Sequence, residues 1–501
     1  MEYTLGGTKA HALSQRCCYV SLEKISEEGV IIMIHNISRR SFLKNVALGT
    51  VAVSFPFRVK AADNDEKPNI IFIMADDMGY GDLGCYGQKK IRTPNIDQIA
   101  EEGKRFTDCY AGSTICAPSR SVLMTGQHTG HTRIRGNMCR VGGSLGYKGR
   151  RQVRRMYLTE EDKTIGHVMQ QAGYRTGLVG KWHIGAYNPE AGPLDRGFDE
   201  FYGWLIRAGM TGGYFPRQRF RNRELYDVAG NADGARGGYS TDICTKEAID
   251  FVNNNKDRPF FLYLAYNNPH TPLEVPDLGP YKEKDWPEHI KAYAGMVHRL
   301  DECIGKLMQK LRELKLDEKT IVFFCSDNGP RSEPRQQLTE VAEFFDSNGP
   351  LRGYKRDLYD GGIRVPMIVR WPGKIKAGSV SDVPWYFADV LPTAAELAGG
   401  QLPENIDGVS VLPVLLGKAK DLGDRFLYWE YFESGFQQAI RWGKWKAISL
   451  RQGRPLLLFD LSEDISEQHN VASEHPEVIS KIEGYLKTAR TESVNWPLQG
   501  V

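Results

Sequence analysis

Two kinds of apolar pattern alternate along the chain. Pro68–Met74 (PNIIFIM), Pro259–Tyr266 (PFFLYLAY), Thr320–Cys325 (TIVFFC) and Val365–Arg370 (VPMIVR) are short runs with almost no polar interruption. Strands buried on both faces of a sheet read this way. Between them apolar positions recur at helical spacing. The clearest stripe places Tyr293, Val297, Leu300, Ile304, Leu307 and Leu311 at steps of four, three, four, three and four, which predicts an amphipathic helix. Shorter helices are predicted over Asn95–Gly103 and Asp162–Ala172. This alternation predicts an α/β fold with a large mixed central sheet flanked by helices. From about Asp424 the texture changes. RFLYWEY, QQAIRWGKWKAIS and PLLLFDL predict short antiparallel strands, and HPEVISKIEGYLKTAR predicts a closing helix. Residues 424–501 are therefore expected to form a smaller C-terminal subdomain after a main domain over residues 62–423.

Composition changes this picture only at the N-terminus. With 41% hydrophobic and 25% charged residues the chain reads as an ordinary globular protein. The formal charge of +3 comes from the first 61 residues, which carry eight Lys/Arg and four Asp/Glu; the remainder holds 57 basic and 58 acidic residues, a net of −1. That balance argues against nucleic acid as a partner. Ser38–Lys44 (SRRSFLK), the apolar run NVALGTVAVSFPF and the small residues Val59 and Ala61 resemble a twin-arginine export signal. Residues 1–61 are thus read as a leader, with Met33 as an alternative start, and the protein as exported to a bacterial periplasm. The plain alternative is a first helix with an accidental Arg39-Arg40 pair. The apolar run is too short to span a bilayer, so no transmembrane anchor is expected. Nine cysteines show no CxxC pair. They are read mostly as buried free thiols, with one or two disulfides left open.

Ligands in open α/β sheets collect at the carboxyl ends of strands, so the polar groups there come next. The first run ends in Asp76-Asp77, TIVFFC ends in Ser326-Asp327-Asn328-Gly329, PFFLYLAY leads to His270, and TGLVGKWH ends in Lys181-Trp182-His183. Asp76, Asp77, Asp327 and Asn328 offer hard oxygen donors suited to Ca²⁺ or Mg²⁺. Each pair alone reads equally as a helix cap or a turn; two pairs at two strand ends favour a metal site. Lys181, His183, His270, Arg120 and Lys355 (in LRGYKRDLYDGG) each have a plain reading as core or surface residues.

Cys116-Ala117-Pro118-Ser119-Arg120, followed by Leu123 and Thr125-Gly126, resembles the signature of the type I sulfatases. GYRTGLVGKWH (173–183), MADDMGYGDLGCYG (74–87), SDNG (326–329), LRGYK, GGIRVP and LFDLSEDISEQHNVA fit the same family in the same order, and arylsulfatase A and N-acetylgalactosamine-6-sulfatase types come nearest. The resemblance implies an alkaline phosphatase-like fold and a sulfuric ester hydrolase. It implies that a maturation enzyme oxidises Cys116 to formylglycine (3-oxoalanine), whose hydrate has one hydroxyl to attack sulfur and a second whose deprotonation expels sulfate. It further implies Ca²⁺ held by Asp76, Asp77, Cys116, Asp327 and Asn328, with Mg²⁺ an alternative. Arg120 is expected to hold the formylglycine, and Lys181 and Lys355 to bind sulfate oxygens. His183 is expected to accept a proton in the elimination step, and His270 to protonate the departing alcohol. The family's sulfate-binding serine has no match after Phe201-Tyr202-Gly203, where the chain reads FDEFYGWLIRAG. Eight Lys/Arg and no acidic residue between Arg133 and Arg155, with Gln218 in RQRFRNR, read first as solvated loops and second as a grip on a polyanionic glycan. Trp204 and Tyr202 are read as platforms for sugar stacking. These features favour a sulfated sugar, glycosaminoglycan or mucin-like glycan of galactose or N-acetylgalactosamine type as substrate. The competing readings are a phosphate or phosphonate monoester hydrolase of the same fold and an inactive sulfated-glycan binding protein.

Overall fold

The computed structural model describes residues 67–148, 150–185, 189–206, 213–333 and 336–498; the leader and the alternative start at Met33 lie outside the described residues. Ten strands form one mixed sheet. At its centre β1 (Asn69–Asp76) lies between β10 (Phe260–Pro269) and β11 (Thr320–Ser326), with β6 (Arg175–Lys181) beyond β10 and β7 (Glu200–Trp204) beyond β6, all parallel. The antiparallel strands β8 (Gln218–Arg221) and β9 (Glu224–Asp227) extend that edge. On the other side β12 (Met367–Arg370) and β2 (Lys104–Phe106) each run antiparallel to the inner neighbour, and β13 (Ser379–Ser381) pairs parallel with β2. Separate pairs join β3 (Cys109–Tyr110) to β14 (Trp385–Tyr386) and β4 (Ser144–Lys148) to β5 (Arg151–Arg155).

The unbroken apolar runs follow from burial on both sides. Ile70, Phe72 and Met74 of β1 face a core shared with α2 (Cys116–Thr125), α3 (Ile165–Gln171) and α7 (Val390–Ala398). Ile71, Ile73 and Ala75 face a second core under α1 (Pro94–Glu101), α4 (Ser240–Asn255), α5 (Glu288–Glu313) and α6 (Gln336–Phe345). A period of two in the strand thus feeds two helical layers. The stripe from Tyr293 to Leu311 is the buried face of α5. The other predicted helices are shorter than their patterns, α1 closing at Glu101 and α3 beginning only at Ile165.

The C-terminal segments form an antiparallel sheet of β15 (Phe426–Tyr431), β16 (Gln437–Trp442), β17 (Trp445–Ser449) and β18 (Leu457–Asp460), with α8 (Pro476–Leu486). It also uses both faces. Tyr428, Ile440, Ala447 and Leu458 pack under α8 with Val478 and Ile482, while Trp429, Ala439, Ile448 and Phe459 join the first core of the large sheet. Buried ion pairs reinforce this contact: Lys446 reaches Asp360 at 2.6 Å and Glu467 at 3.2 Å, and Arg441 reaches Asp108 at 3.3 Å. The seven described cysteines are all free, so the disulfides left open by their spacing are absent among the described residues. No helix among the described residues is long and apolar enough to cross a membrane.

Candidate active site

Four adjacent parallel strands, β11, β1, β10 and β6, end along one edge of the sheet, and each delivers polar groups there. β1 ends at Asp76 and passes into Asp77, which is held at φ 67°. β11 leads to Asp327 and Asn328, β6 to Lys181 and His183, and β10 to His270. SDNG and the later GGIRVP meet here. A Cβ on Gly329 would lie 1.9 Å from the Gly361 carbonyl oxygen, so only glycine permits the approach.

Cys116 is the first residue of α2, and Pro118 falls in the first turn, where its missing N–H leaves no helical bond unmade. The Ala117 N–H donates to Asn137 Oδ1 at 3.0 Å. Cys116 Sγ lies 3.5 Å from Asp76 Oδ1 and 3.1 Å from Lys355 Nζ. Burial, with Asp327 adding to it, pushes the Cys116 thiol up to about 12. It therefore stays protonated at neutral pH and is a poor nucleophile as a thiol.

Beneath this floor the charges interlock. Lys181 Nζ donates to Asp76 Oδ2 at 2.5 Å, and Lys355 Nζ donates to Asp77 Oδ1. Arg120, fully buried, donates to Asp327 Oδ2 from Nε at 3.0 Å and Nη2 at 2.7 Å, and its Nη1 reaches the Lys181 carbonyl at 3.1 Å and Tyr263 Oη at 3.2 Å. Desolvation opposes ionisation of Asp77, but Lys355 and then His270 hold it well below the usual carboxylate range. Burial, with Asp76 next, raises Asp327. Two buried oxygens, Asp77 Oδ2 and Asn328 Oδ1, have no hydrogen-bond partner. Asp76, Asp77, Cys116 and His270 also bring four ligand atoms within 4.8 Å of one another. Orphaned hard oxygens among clustered carboxylates fit a divalent cation. Asp327 adjoins that group, its Oδ2 accepting from Arg120 and its Oδ1 from the Asp77 N–H.

Above lies a small cavity of about 80 Å³ lined by Cys116, Lys181, His183, His270 and Lys355. The cavity is strongly cationic, since Arg155, Arg331 and Arg356 also line it. His183 is pushed well below its ordinary value by burial, then by Lys181 and Arg155, and its Nδ1 has no partner. A neutral imidazole with a bare nitrogen can accept a proton. Burial likewise pushes His270 down to about 3, with Asp77 pulling the other way. Its Nδ1 lies 2.7 Å from the Thr271 carbonyl; a carbonyl only accepts, so Nδ1 carries the proton and Nε2 faces Asp77 Oδ2 at 3.6 Å.

The ten residues expected as metal ligands and catalytic groups meet here, whereas Tyr202, Trp204 and Gln218 do not line the cavity. The sequence reading missed Asn137, Arg155, Arg331, Arg356 and Glu433. Arg155 ends the basic run that reads first as solvated loops and second as a grip on an anionic glycan, yet it is 5% exposed and lines the small cavity. Glu433 comes from the β15–β16 loop and carries no local signal. One reading is corrected: Trp204 and Tyr202 are 1% and 3% exposed, held by the pairing of β7 with β6 and packed in the second core, so neither can stack on a sugar.

Fold and site together define an α/β protein whose buried carboxylates support a small cationic pocket at the strand ends. Residues 68–400 match the Sulfatase family, and residues 353–492 match the N-sulphoglucosamine sulphohydrolase C-terminal family. Human arylsulfatase A is 31% identical over 83% of this chain and 86% of that protein. The N-acetylgalactosamine-6-O-sulfatase of Bacteroides thetaiotaomicron is 29% identical over 85% and 94%. Among solved structures, Ps i-CgsB in complex with k-i-k-neocarrahexaose superposes with a TM-score of 0.72 at 32% identity, covering 84% of this chain and 93% of that one. The chain belongs to the type I sulfatase family and is a sulfuric ester hydrolase.

Removal of Arg120 leaves Asp327 buried beside Asp76 without its counter-ion. Arg120→Ala is expected to lower stability by about 3–5 kcal/mol, read as a shift of the urea midpoint at unchanged slope. Arg120→Lys keeps the charge and loses the fork, so an intermediate shift is expected; no shift in either variant would refute the pairing.

Proposed function

We propose that the protein hydrolyses sulfate esters of galactose- or N-acetylgalactosamine-type sugars, with Cys116 matured to formylglycine and Ca²⁺, or Mg²⁺, held at Asp76, Asp77, Asp327, Asn328 and the matured Cys116. The carrying observation is the convergence of Lys181, Lys355, His183 and His270 on one small cavity whose floor is Cys116. The glycan side of the reading draws on relatives named for N-acetylgalactosamine-6-sulfate and bound to a neocarrahexaose.

The formylglycine hydrate supplies a hydroxyl that attacks sulfur and a second whose loss of a proton releases sulfate, and the cation supplies a fixed positive charge beside it. The rest is done by the chain's own groups. Lys181 and Lys355, seated on Asp76 and Asp77, present ammonium protons to the sulfate oxygens. Arg155 and Arg331 add positive charge at the rim of the same cavity. His183 takes a proton through its unpartnered Nδ1. His270, neutral in the empty site, passes one to the departing sugar oxygen only after its Nε2 has taken up a proton, as the bound sulfate offsets Lys181 and Lys355. Arg120 holds Asp327 and the Lys181 carbonyl in place from behind.

For the region outside the described residues, the twin-arginine reading places the enzyme in the periplasm. Mature protein is expected to begin near Ala62, and replacing Arg39 and Arg40 with lysine is expected to retain it in the cytoplasm. An intact N-terminus recovered from the cytosol refutes export by this route.

Maturation has a direct chemical signature. A peptide spanning Ser113–Arg120 from active enzyme is expected to be lighter than its cysteine form and to react with a hydrazide. The same preparation is expected to turn over 4-nitrophenyl sulfate faster than 4-nitrophenyl phosphate. Full activity with only unmodified Cys116 would sink the nucleophile assignment, and a preference for the phosphate would sink the ester assignment.

A sugar alkoxide is a basic leaving group and needs a proton as the S–O bond breaks, which a general acid typically supplies at about 10²- to 10⁴-fold in rate. Nitrophenolate leaves unaided. His270→Ala is therefore expected to depress turnover of a sulfated sugar about 10²-fold or more while sparing 4-nitrophenyl sulfate. His183→Ala is expected to slow both. Equal losses on both substrates in His270→Ala would assign it to binding and leave Lys355 as the next proton donor.

A further inference from the structure

The sulfate cavity adjoins a much larger cleft of about 990 Å³, and Met138 and Glu433 line both. One wall is the β4–β5 hairpin and the other is built by the C-terminal sheet, from the β15–β16 loop and the segment after β17. The cleft has the volume of a substantial ligand site, whereas the sulfate cavity holds little beyond the ester group itself.

Charge and aromatic surface are both arranged along it. Four arginines are on its lining and Glu433 is the single carboxylate there. Glu433 is already engaged, accepting from the Asn137 N–H at 3.1 Å and lying 3.8 Å from Arg356 Nε. Arg151, Arg154 and Arg451 are exposed and pair with no carboxylate among the described residues; Arg154 gives one N–H to the Gly142 carbonyl at 3.3 Å. Phe432 and Phe436, both half-buried, present ring surface here with centroids 5.2 Å apart, and the buried Trp496 backs Phe432 from the core at 5.4 Å. Trp496 is fixed by donating from Nε1 to the Arg133 carbonyl at 2.8 Å. Unpaired guanidinium groups recognise sulfates and carboxylates bidentately, and aromatic rings meet the apolar faces of sugars.

We propose that this cleft binds the part of the substrate beyond the scissile ester: a sugar chain on the leaving-alcohol side that carries at least one further sulfate or carboxylate, gripped by Arg151, Arg154 and Arg451. This rests on the sulfated-glycan reading above and narrows it from a sulfated monosaccharide to an anionic oligosaccharide. The position is dictated by continuity. A chain whose sulfate sits against Lys181 and Lys355 meets this basic, aromatic channel where the two spaces share Met138 and Glu433.

The test combines Arg151→Ala, Arg154→Ala and Arg451→Ala in one variant, since all three side chains are on the surface. Turnover is compared on 4-nitrophenyl sulfate, galactose 6-sulfate, a carrageenan tetrasaccharide (extra charge all sulfate) and a chondroitin 6-sulfate tetrasaccharide (extra charge sulfate and carboxylate). The first two are expected to keep their kcat/KM within about twofold. At least one tetrasaccharide is expected to lose at least tenfold, about 1.4 kcal/mol, through KM, with a shallower salt dependence. The tetrasaccharide affected tells whether sulfate or carboxylate is the second group. Equal kcat/KM for galactose 6-sulfate and both tetrasaccharides in the unsubstituted enzyme overturns the proposal, as does a triple variant with unchanged KM. Calorimetric binding of the tetrasaccharides to Cys116→Ser enzyme, with and without the arginines, reads the cleft apart from catalysis. Arginine-dependent binding without turnover of any sulfate ester would sustain the cleft and sink the sulfatase chemistry. No binding of either tetrasaccharide overturns the cleft alone.

Discussion

Placing Asp76, Asp77 and Asp327 side by side in the protein interior is the constraint on which the site depends. Three buried carboxylates repel one another and have lost hydration, and the fold tolerates them only because cations are brought to the same spot. Arg120 arrives from α2, Lys181 from the end of β6 and Lys355 from the loop before GGIRVP, each with a carboxylate as its immediate partner. The orphaned oxygens of Asp77 and Asn328 show that protein cations alone do not complete the arrangement. A divalent ion fits what is left over.

The same charges orient the reactive groups. Lys181 and Lys355 are seated on aspartates from below, so their ammonium groups are already positioned at the floor of the cavity rather than mobile in solvent. That preorganisation is what makes an oxyanion pocket effective. Burial fixes the protonation of the neighbours: it keeps His183 neutral, with Lys181 and Arg155 adding to it, the state a proton acceptor needs, and it keeps the Cys116 thiol protonated against the pull of Lys181 and Lys355.

The C-terminal sheet is more than an appendage. Its two apolar faces tie it to both α8 and the large sheet, and Lys446 and Arg441 anchor it through buried acids. That attachment carries Glu433 to the sulfate cavity and Phe432, Phe436 and Arg451 to the adjoining cleft. Small pocket and large cleft are therefore built by different parts of the chain, one by the strand ends of the large sheet and the other between the β4–β5 hairpin and the C-terminal loops.

Much of this was legible in the sequence because it is written in local patterns. A strand buried on both faces has to be continuously apolar, and a helix on its surface has to repeat every three to four residues, so β1, β10, β11 and α5 announce themselves. Asp76-Asp77 and Asp327-Asn328 were visible because each pair directly follows such a run, and the CAPSR motif because its spacing is a signature. What the sequence alone determined was thus the kind of fold and the residues that converge on the small cavity. Tertiary structure decided what local pattern cannot encode. It buried Tyr202 and Trp204 beneath helices although their composition suits a sugar platform. It turned Arg155 inward while leaving Arg151 and Arg154 outside on the same short strand. It brought Glu433 next to residues hundreds of positions away. Burial and proximity are properties of the packed chain, set by which faces of which elements meet, and a basic run or a lone glutamate reads the same in sequence on either side of that boundary.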